Sequence, residues 1–225
     1  MKILITGGMG YVGTPLTQYL LGKGYNVSVI DKLLFNNGQL NLVKSKKFKF
    51  YKFDILNKQK LNLFFKKNEF DVIIHLAAIV GDPASKINKK LTIDTNLKAS
   101  KTIYNLAKKK DIKKFIFFST CSNYGLRKNL NLLKETDKLK PLSLYAKTKV
   151  DFEKFLLKDK SKIQKIILRI STLYGISPRM RFDLTINEFI KKVFSSEHFD
   201  IYHADTWRPY LNLKDLNLIV GKILS

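Results

Sequence analysis

Tyr145 and Lys149 lie four residues apart in the segment YAKTK. On a helix this spacing puts both side chains on one face, about 6 Å apart along the axis. A phenol with a pKa of about 10 is a poor base at neutral pH, but nearby positive charge, such as an ammonium group, stabilises the phenolate. Such a phenol could take a proton from a hydroxyl group while a hydride leaves the adjoining carbon. Because this pair is common on surface helices, it indicates chemistry only together with other residues.

A cluster of hydroxyl side chains follows a predicted strand at Lys113–Ser119. Ligands of doubly wound sheets gather beyond the carboxyl ends of the strands, so a hydroxyl group there can hydrogen-bond and orient a reacting oxygen. Serine and threonine also end strands without any function. We predict that the substrate contacts in this cluster are Ser119, Thr120 and Ser122.

A glycine-rich run, Thr6–Gly13, comes directly after the first predicted strand. Its G-x-x-G-x-x-G spacing allows a tight turn, close approach of the backbone to a pyrophosphate and packing of a helix on the strand. The helix that follows offers unpaired N–H groups and a partial positive charge to an anion. The run therefore predicts a dinucleotide site that is formed by Gly7, Gly10, Tyr11, Val12 and Gly13.

Two acidic residues follow the next two predicted strands. Asp31 lies 18 residues beyond Gly13, where a carboxylate can accept hydrogen bonds from both ribose hydroxyls and would repel a 2′-phosphate. Asp54 follows the third strand, at a position that suits the adenine edge, although this signal is less specific. Asp31 therefore favours NAD over NADP, and the adjacent Lys32 weakens that preference slightly.

Short apolar runs alternate with longer amphipathic segments along the whole chain. The predicted strands are Lys2–Thr6, Asn26–Ile30, Phe48–Phe53, Asp71–Ala78, Lys113–Ser119 and Lys165–Ile170. The predicted helices are Tyr11–Lys23, Lys58–Lys67, Asn88–Lys110, Leu144–Lys158 and Leu184–Phe194. Alternation of strands with helices implies βαβ units, and nearly continuous apolar strands imply burial on both faces. The predicted fold is an α/β doubly wound parallel sheet of the Rossmann type.

Composition narrows the class of protein. The chain has 225 residues, of which 45% are hydrophobic and 27% charged, and a single cysteine, Cys121. These values are typical of a globular domain and exclude a disulfide framework, and no apolar run reaches the ~20 residues that span a bilayer. The N-terminal segment lacks the features of a secretory peptide. We expect a protein of the cytoplasm, with no membrane partner.

The formal net charge is +24, from 42 basic and 18 acidic residues. A basic patch for nucleic acid is one interpretation, but 37 of the basic residues are lysines that are scattered along the chain. Nucleic-acid recognition favours the bidentate arginine, so we predict no specific nucleic-acid binding. The three histidines show no metal-ligand spacing, and no metal site is predicted.

Taken together, these motifs resemble the extended short-chain dehydrogenase/reductases, in particular the NAD-dependent epimerase/dehydratase group that acts on nucleotide sugars. The resemblance extends over nearly the whole chain. Its matching segments are Thr6–Gly13, Asp31, Asp54–Ile55, His75–Ala78, Asn96, Ser119–Gly125, Tyr145–Lys149, Leu168–Gly175 and Trp207–Asp215. It implies NAD as cofactor, a nucleotide sugar as substrate, and epimerisation through transient oxidation of a sugar hydroxyl to a ketone. It also implies a homodimer through a helix bundle.

The same resemblance assigns roles to single residues. Thr120 matches the catalytic hydroxyl, Tyr145 the acid/base and Lys149 its partner, which also holds the nicotinamide ribose. Arg208 matches an arginine that grips the nucleotide diphosphate, and Thr172 occupies a sugar-contact position where epimerases often have asparagine. The residues implied to bind or support the rest of the cofactor are Asp31, Asp54, Ile55, Leu76, Ala77, Ala78 and Asn96.

Two departures from the family pattern limit these expectations. Cys121-Ser122 stands where sugar dehydratases carry an Asp-Glu pair, so dehydration lacks its proton donors and is disfavoured. The chain also ends at Ser225, earlier than family members usually do. We therefore expect an NAD-binding domain over residues 1–175 and, over 176–225, the beginning of a substrate lobe that is truncated relative to the family.

Other functions remain open at this stage. An NAD-dependent dehydrogenase or reductase of a sugar would use the same tyrosine, lysine and threonine but exchange its cofactor. A non-catalytic dinucleotide-binding module would not need them. The segment Ser177–Phe182, with Arg179 and Arg181, is either a loop that touches substrate phosphate or the approach to a helix.

Overall fold

Six strands form one sheet in which every neighbouring pair is parallel. The computed structural model describes residues 1–35, 43–126, 132–196, 198, 200, 201 and 208–225. The strands are β1 (Lys2–Thr6), β2 (Asn26–Asp31), β3 (Phe48–Lys52), β4 (Val72–His75), β5 (Lys114–Thr120) and β6 (Gln164–Ile170). Their order is β3-β2-β1-β4-β5-β6. This order confirms the predicted doubly wound Rossmann sheet.

Helices cover both faces of this sheet, because alternate residues of each strand point to opposite sides. Ile3 and Ile5 pack into one core, whereas Leu4 between them packs into the other. The helices are α1 (Gly13–Gly22), α2 (Lys58–Lys67), α3 (Asp82–Ile87), α4 (Lys89–Ile93), α5 (Ser100–Lys108), α6 (Leu144–Lys158), α7 (Thr185–Phe194) and α8 (Leu213–Leu224). Helices α1 and α8 complete the first core, and α2, α5 and α6 complete the second.

The long helix predicted over Asn88–Lys110 is interrupted in the structure. Its first turn, α4, begins after Asn88, whose side chain accepts a hydrogen bond from Leu91 N at 2.9 Å and caps the helix. A π-helical turn over Asp94–Ala99 then separates α4 from α5. Periodicity alone predicted one continuous helix, since a π turn adds a single residue to an otherwise regular pattern.

Three elements near the C-terminus have no counterpart among the predicted segments. The strands β7 (Thr172–Tyr174) and β8 (Tyr210–Asn212) pair in parallel as a separate two-stranded sheet. Helix α8 packs in the same core as α1, and its Leu216 and Val220 are fully buried. Although α8 lies C-terminal to residue 175, it therefore belongs to the body that contains the Rossmann sheet. The division of the chain at residue 175 stays a prediction.

Candidate active site at the carboxyl edge of the sheet

The chain leaves β1 towards β2 and β3 on one side of the sheet and later returns to β4 on the other side. Ligands of doubly wound sheets bind where the strand order reverses in this way, beyond the carboxyl ends of the strands. The segments at this place are the glycine-rich loop after β1, the loop after β4, the 3-10 turn Cys121–Tyr124 after β5 and the start of α6. We call the space that they border the crevice.

The glycine-rich loop has a backbone path that only glycine can follow at two positions. Gly7 has a φ of 73°, and a Cβ atom there would lie 2.7 Å from Ala77 N. A Cβ atom on Gly13 would lie 2.4 Å from Gly7 O. The loop is closed by hydrogen bonds from Gly7 N to Ile30 O at 2.8 Å and from Gly10 N to Gly7 O at 3.2 Å. This tight loop at the start of α1 fits the pyrophosphate of a dinucleotide.

Tyr11 and Val12 belong to this loop in different ways. The Tyr11 side chain is buried, its hydroxyl donates to Gly175 O at 2.9 Å, and it accepts from Asn187 Nδ2 at 2.9 Å. Since its hydroxyl proton is already used, Tyr11 can contribute to a cofactor site through its backbone. Val12 is the N-cap residue of α1, beside the N–H groups that a helix leaves without intrahelical partners.

Asp31 lies at the end of β2 beside the glycine-rich loop. Its Oδ2 accepts from Met9 N at 3.0 Å and its Oδ1 from Leu33 N at 2.8 Å. Each carboxylate oxygen can accept a further hydrogen bond, so this orientation is compatible with the predicted ribose contact. The two backbone bonds also show that Asp31 fixes the loop.

Asp54 and Ile55 follow β3, on the same side of the crevice. Asp54 Oδ1 accepts from Leu56 N at 3.0 Å, and Lys32 Nζ lies 3.1 Å from Oδ2. Ile55 is buried in the second core. The carboxylate that we expect at the adenine edge is therefore held in place by a local turn and a lysine.

The loop after β4 is held by Asn96, which lies in the π-helical turn. Its Oδ1 accepts from Ile79 N at 2.7 Å and its Nδ2 donates to Ile79 O at 2.9 Å. The Asn96 side chain is buried, and π turns are frequent at functional sites. The partly exposed residues of this loop that were predicted to line the cofactor are Leu76, Ala77 and Ala78.

Tyr145 and Thr120 lie at the crevice close enough for the Thr120 hydroxyl to lower the pKa of Tyr145. Tyr145 lies in the first turn of α6, which Ser143 caps by accepting from Ala146 N at 3.2 Å. Burial raises the pKa of Tyr145 to about 12, while Arg181 and the Thr120 hydroxyl lower it. The phenol therefore keeps its proton at neutral pH until positive charge or hydrogen-bond donors are added near its oxygen.

Lys149 lies one helical turn after Tyr145, and its side chain is almost fully buried. Its Nζ donates to Phe118 O at 2.7 Å and lies 5.7 Å from the centroid of the Tyr145 ring. Burial lowers the pKa of Lys149 to about 7, and the charge of Glu153 opposes this shift. The structure thus brings together the three predicted catalytic residues, Thr120, Tyr145 and Lys149.

Ser119 does not join this group. It is buried, donates to Glu153 Oε1 and accepts from Asn123 Nδ2 at 2.9 Å. Its hydroxyl is thus engaged inside the protein, and the predicted substrate contact of Ser119 stays a prediction. Ser122 is exposed and its N–H donates to Thr120 Oγ1 at 3.2 Å, so its substrate contact stays a prediction.

The small β7–β8 sheet brings together the two remaining predicted substrate residues. Thr172 N donates to Pro209 O at 3.2 Å, which places Thr172 next to the segment that follows Arg208. Arg208 is exposed, and its charge lowers the pKa of Cys121, although burial raises it by more. Arg208 thus lies within electrostatic reach of the turn that follows Thr120.

Two residues with influence on the site were not among the predicted site residues. Arg181 lies in the segment 176–184, which is a loop that leads to α7, and its charge lowers the pKa of Tyr145. Glu153 is buried one turn beyond Lys149. Its spacing of four residues from Lys149 was the available signal, but an acidic residue at this spacing is usually part of a solvated face.

The donor set fits a dinucleotide and gives no indication of a metal. The cradle of glycines, the carboxylate at the end of β2 and the buried lysine are the parts that such a ligand requires. Among the residues that the structure describes, no three histidine, cysteine or acidic side chains cluster as ligands. His75 is enclosed between Thr6 Oγ1 at 2.6 Å and Ser100 Oγ at 2.8 Å. Nor does any described helix combine the length and apolar character needed to cross a membrane.

The chain is similar in sequence to named proteins. The chain is 33% identical over 162 residues to a bifunctional UDP-glucose 4-epimerase and UDP-xylose 4-epimerase of Pisum sativum, which covers 68% of this chain and 45% of that protein. It is 32% identical to a UDP-glucuronate 4-epimerase of Thermodesulfobacterium geofontis, over 90% of this chain and 65% of that protein. The chain thus spans between 45% and 65% of the length of these two relatives.

A solved structure of a 4-epimerase is also similar to this chain. UDP-glucuronic acid 4-epimerase from Bacillus cereus, in complex with UDP-glucuronic acid and NAD, superposes with a TM-score of 0.86 at 30% identity, over 100% of this chain and 73% of that one. The model of the NAD dependent epimerase/dehydratase family matches residues 3–224, and its dependence on NAD agrees with the predicted cofactor. The chain therefore belongs to the NAD dependent epimerase/dehydratase family.

Proposed function

We propose that the protein is an NAD-dependent nucleotide-sugar epimerase that oxidises a sugar hydroxyl to a ketone and reduces it again from the opposite face. The observation that carries this proposal is that Tyr145, Thr120 and Lys149 lie close together at the crevice that the glycine-rich loop also borders. The relatives that are named as 4-epimerases of UDP-sugars support the 4-hydroxyl as the reacting group.

Tyr145 carries the proton in both half-reactions. NAD, when bound, supplies the position that accepts the hydride and later returns it. The Tyr145 oxygen takes the hydroxyl proton in the oxidation and gives it back in the reduction, so one group serves as base and then as acid. Thr120, whose hydroxyl lowers the pKa of Tyr145, is placed to orient the sugar oxygen.

The charges around Tyr145 assist this exchange. A phenol with a pKa of about 12 keeps its proton at neutral pH, so its pKa must fall before the phenolate can form and accept a proton. Arg181 lowers this pKa, and the Lys149 ammonium lies below the same ring. Both cations stabilise the phenolate that the oxidation step requires.

Arg208 and Thr172 supply the proposed anchor for the substrate. An arginine can bind the diphosphate of a nucleotide sugar through two parallel hydrogen bonds. The pairing of β7 with β8 holds this arginine near Thr172 and the end of β5. The sugar would then lie between the anchor and Tyr145.

Mass spectrometry of the purified protein, followed by incubation with UDP-, GDP-, CDP- and dTDP-sugars, tests this proposal. We expect bound NAD and formation of an epimer with no cofactor added. Product that appears only in proportion to added cofactor would instead identify a dehydrogenase or reductase. If no nucleotide sugar is converted although NAD is bound, the chain is a binding module and the proposal fails.

Replacing the Tyr145 hydroxyl separates catalysis from binding. In Tyr145→Phe we expect a loss of epimer formation of about 10³-fold, because positioned proton transfer contributes 10²–10⁴-fold, with the NAD content unchanged. The matched control is Tyr51→Phe, which should retain activity. Tyr51 lies on strand β3, and its hydroxyl is hydrogen-bonded to Asn68. Activity that survives in Tyr145→Phe would contradict the assigned role.

A further inference from the structure

A buried carboxylate lies beneath the proposed catalytic residues and takes no part in the mechanism above. Glu153 is 1% exposed and belongs to the same helix as Tyr145 and Lys149, at successive intervals of four residues. A buried charge is costly unless it is paired and hydrogen-bonded. The partners of Glu153 therefore indicate what this position does.

Glu153 binds the chain on both sides of Thr120. Its Oε1 accepts from Ser119 Oγ and from Asn123 Nδ2, the latter at 2.8 Å. Asn123 Nδ2 also donates to Ser119 Oγ at 2.9 Å, which closes a ring of three side chains. Because Thr120 lies between Ser119 and Asn123, this ring fixes the turn from which its hydroxyl reaches Tyr145.

Arg169 compensates the charge of this carboxylate. Its NH2 lies 2.8 Å from Glu153 Oε2 and its Nε 3.1 Å from the same oxygen, while its NH1 donates to Tyr124 OH at 2.9 Å. Tyr124 closes the 3-10 turn that begins at Cys121. The ion pair thus ties the end of β6 to the turn that carries Thr120.

Lys149, one turn before Glu153 in α6, contacts strand β5. Its Nζ donates to Phe118 O at 2.7 Å, one residue before the serine that Glu153 holds. The Glu153 charge also acts on Lys149 and favours its ammonium form. One carboxylate therefore influences both the position of Thr120 and the charge beneath Tyr145.

We propose that Glu153 is a positioning residue for the epimerase, which holds the Ser119–Tyr124 turn so that Thr120 faces Tyr145. The assignment to catalysis rests on the proposed function. The positional part does not, because it concerns the turn itself and can be measured without a substrate.

Cys121 offers a direct reporter of this turn. It is the only cysteine of the chain, directly follows Thr120 and is partly exposed. The rate at which iodoacetamide alkylates it above the pKa of the thiol reports access to the turn, while the pH midpoint of the reaction reports the pKa. The two contributions can thus be separated.

The test variant is Glu153→Gln/Arg169→Gln, which removes both charges and leaves no unpaired ion. We expect the alkylation rate of Cys121 at high pH to rise about 10-fold, because the turn opens locally more often. Asp151→Asn, which removes an exposed carboxylate from the same helix, is the matched control and should stay within about twofold of wild type. A folded double variant with the wild-type rate overturns the proposal.

A second variant covers the case in which the double variant does not fold. Glu153→Asp retains the charge but withdraws the carboxylate by one methylene group, so we expect a rise in rate of about threefold. An unchanged rate in this variant also overturns the proposal.

Kinetics then separate positioning from a merely structural role. In a folded Glu153 variant we expect kcat to fall about 10- to 100-fold with the NAD content and KM little changed. In Glu153→Gln alone, the alkaline limb of the kcat profile should move to lower pH, because Lys149 loses the charge that favours its ammonium form. A variant with faster alkylation of Cys121 but wild-type kcat and pH profile would show that Glu153 has only a structural role, and would contradict its role in positioning Thr120 for catalysis. Wild-type protein that converts no sugar would refute the proposed function and leave the thiol result standing.

Discussion

The two ends of the crevice are built in different ways. At the cofactor end, the loop after β1 is held by backbone bonds within the loop and to β2, and glycines are required where a Cβ atom would meet backbone within 3 Å. At the substrate end, Thr172, Arg181 and Arg208 come from three separate segments, and large apolar side chains such as Ile176 and Phe194 are about nine-tenths exposed. The cofactor end is thus centred on one contiguous glycine-rich run, whereas the substrate end depends on contacts between separate segments.

A small polar network joins the two ends. Asn187 Nδ2 donates to Tyr11 OH at 2.9 Å and to Arg181 O at 3.0 Å, and its Oδ1 accepts from Gly175 N at 3.1 Å. Tyr11 belongs to the glycine-rich loop, and Arg181 to the loop before α7. Through Asn187, the less regular end of the crevice takes its position from the more rigid one.

The largest effect on function that we expect, loss of the bound cofactor, comes from a single methyl group at the cofactor end. In Gly13→Ala the new Cβ atom would lie 2.4 Å from Gly7 O, so the loop has to distort. We expect a loss of about 3 kcal/mol in the free energy of unfolding, at the upper end of overpacking effects, together with loss of bound NAD. Urea denaturation and mass spectrometry of the purified protein measure the two quantities.

Gly22 is the matched control for this substitution, because a Cβ atom there meets nothing within 4 Å. Gly22→Ala should leave NAD content unchanged and preserve or raise stability by about 0.5 kcal/mol. Equal effects of the two substitutions would show that the loop is not the rigid part of the crevice.

Acid should destabilise the cofactor end through His75. Burial, together with the charge of Lys149, lowers the pKa of His75 to about 3, so the native state binds fewer protons than the unfolded state below the unfolded pKa of about 6.5. The contribution is complete above that pH and decreases by up to about 1.4 kcal/mol per pH unit as the pH falls towards 3.

Urea denaturation of wild type and His75→Gln between pH 7 and pH 4 isolates this contribution. The variant should be less stable at pH 7, because Thr6 and Ser100 lose a matched partner, and its stability should depend less on pH. His198→Gln, at an exposed position, should retain the wild-type slope. A wild-type slope in His75→Gln would contradict the assignment.

The smallest of the three effects concerns the connection between the ends. Asn187→Ala leaves Gly175 N, Tyr11 OH and Arg181 O without this partner, at a cost of about 1–3 kcal/mol. Because Arg181 loses its anchor, we expect KM for the sugar to rise while NAD content is retained. Asn105→Ala, at an exposed position on α5, should change neither KM nor NAD content. If Asn187→Ala loses NAD, then the cofactor end depends on the substrate end, which contradicts the expectation.

The parts of the fold that the sequence predicted well are those with local signals. The bounds of α6 follow from its Ser143 cap and its apolar spacing, and the glycine-rich loop follows from its spacing alone. The π turn at Asp94–Ala99 and the strands β7 and β8 carry no such signal, since three residues are too few to show a period.

The candidate site shows the same limit at the scale of single side chains. Ser119 and Thr120 are neighbours of one type, and successive residues of a strand point to opposite faces. Thr120 reaches Tyr145, whereas Ser119 turns to Glu153. The pattern of hydroxyl residues predicted a cluster at the end of β5, where the structure has it. Which of the two neighbours faces the crevice depends on the packing of α6 against β5, for which the sequence carries no local signal.

The parallel pairing of β7 and β8 has a consequence for how such proteins diversify. The chain leaves Thr172–Tyr174 and comes back beside it at Tyr210–Asn212, so the excursion between them starts and finishes at a fixed pair of points. The entropy of closing a loop grows slowly with its length. Insertions or deletions inside this excursion, away from Arg208 at its end, can therefore be accommodated without breaking the pairing that places Thr172 beside Pro209.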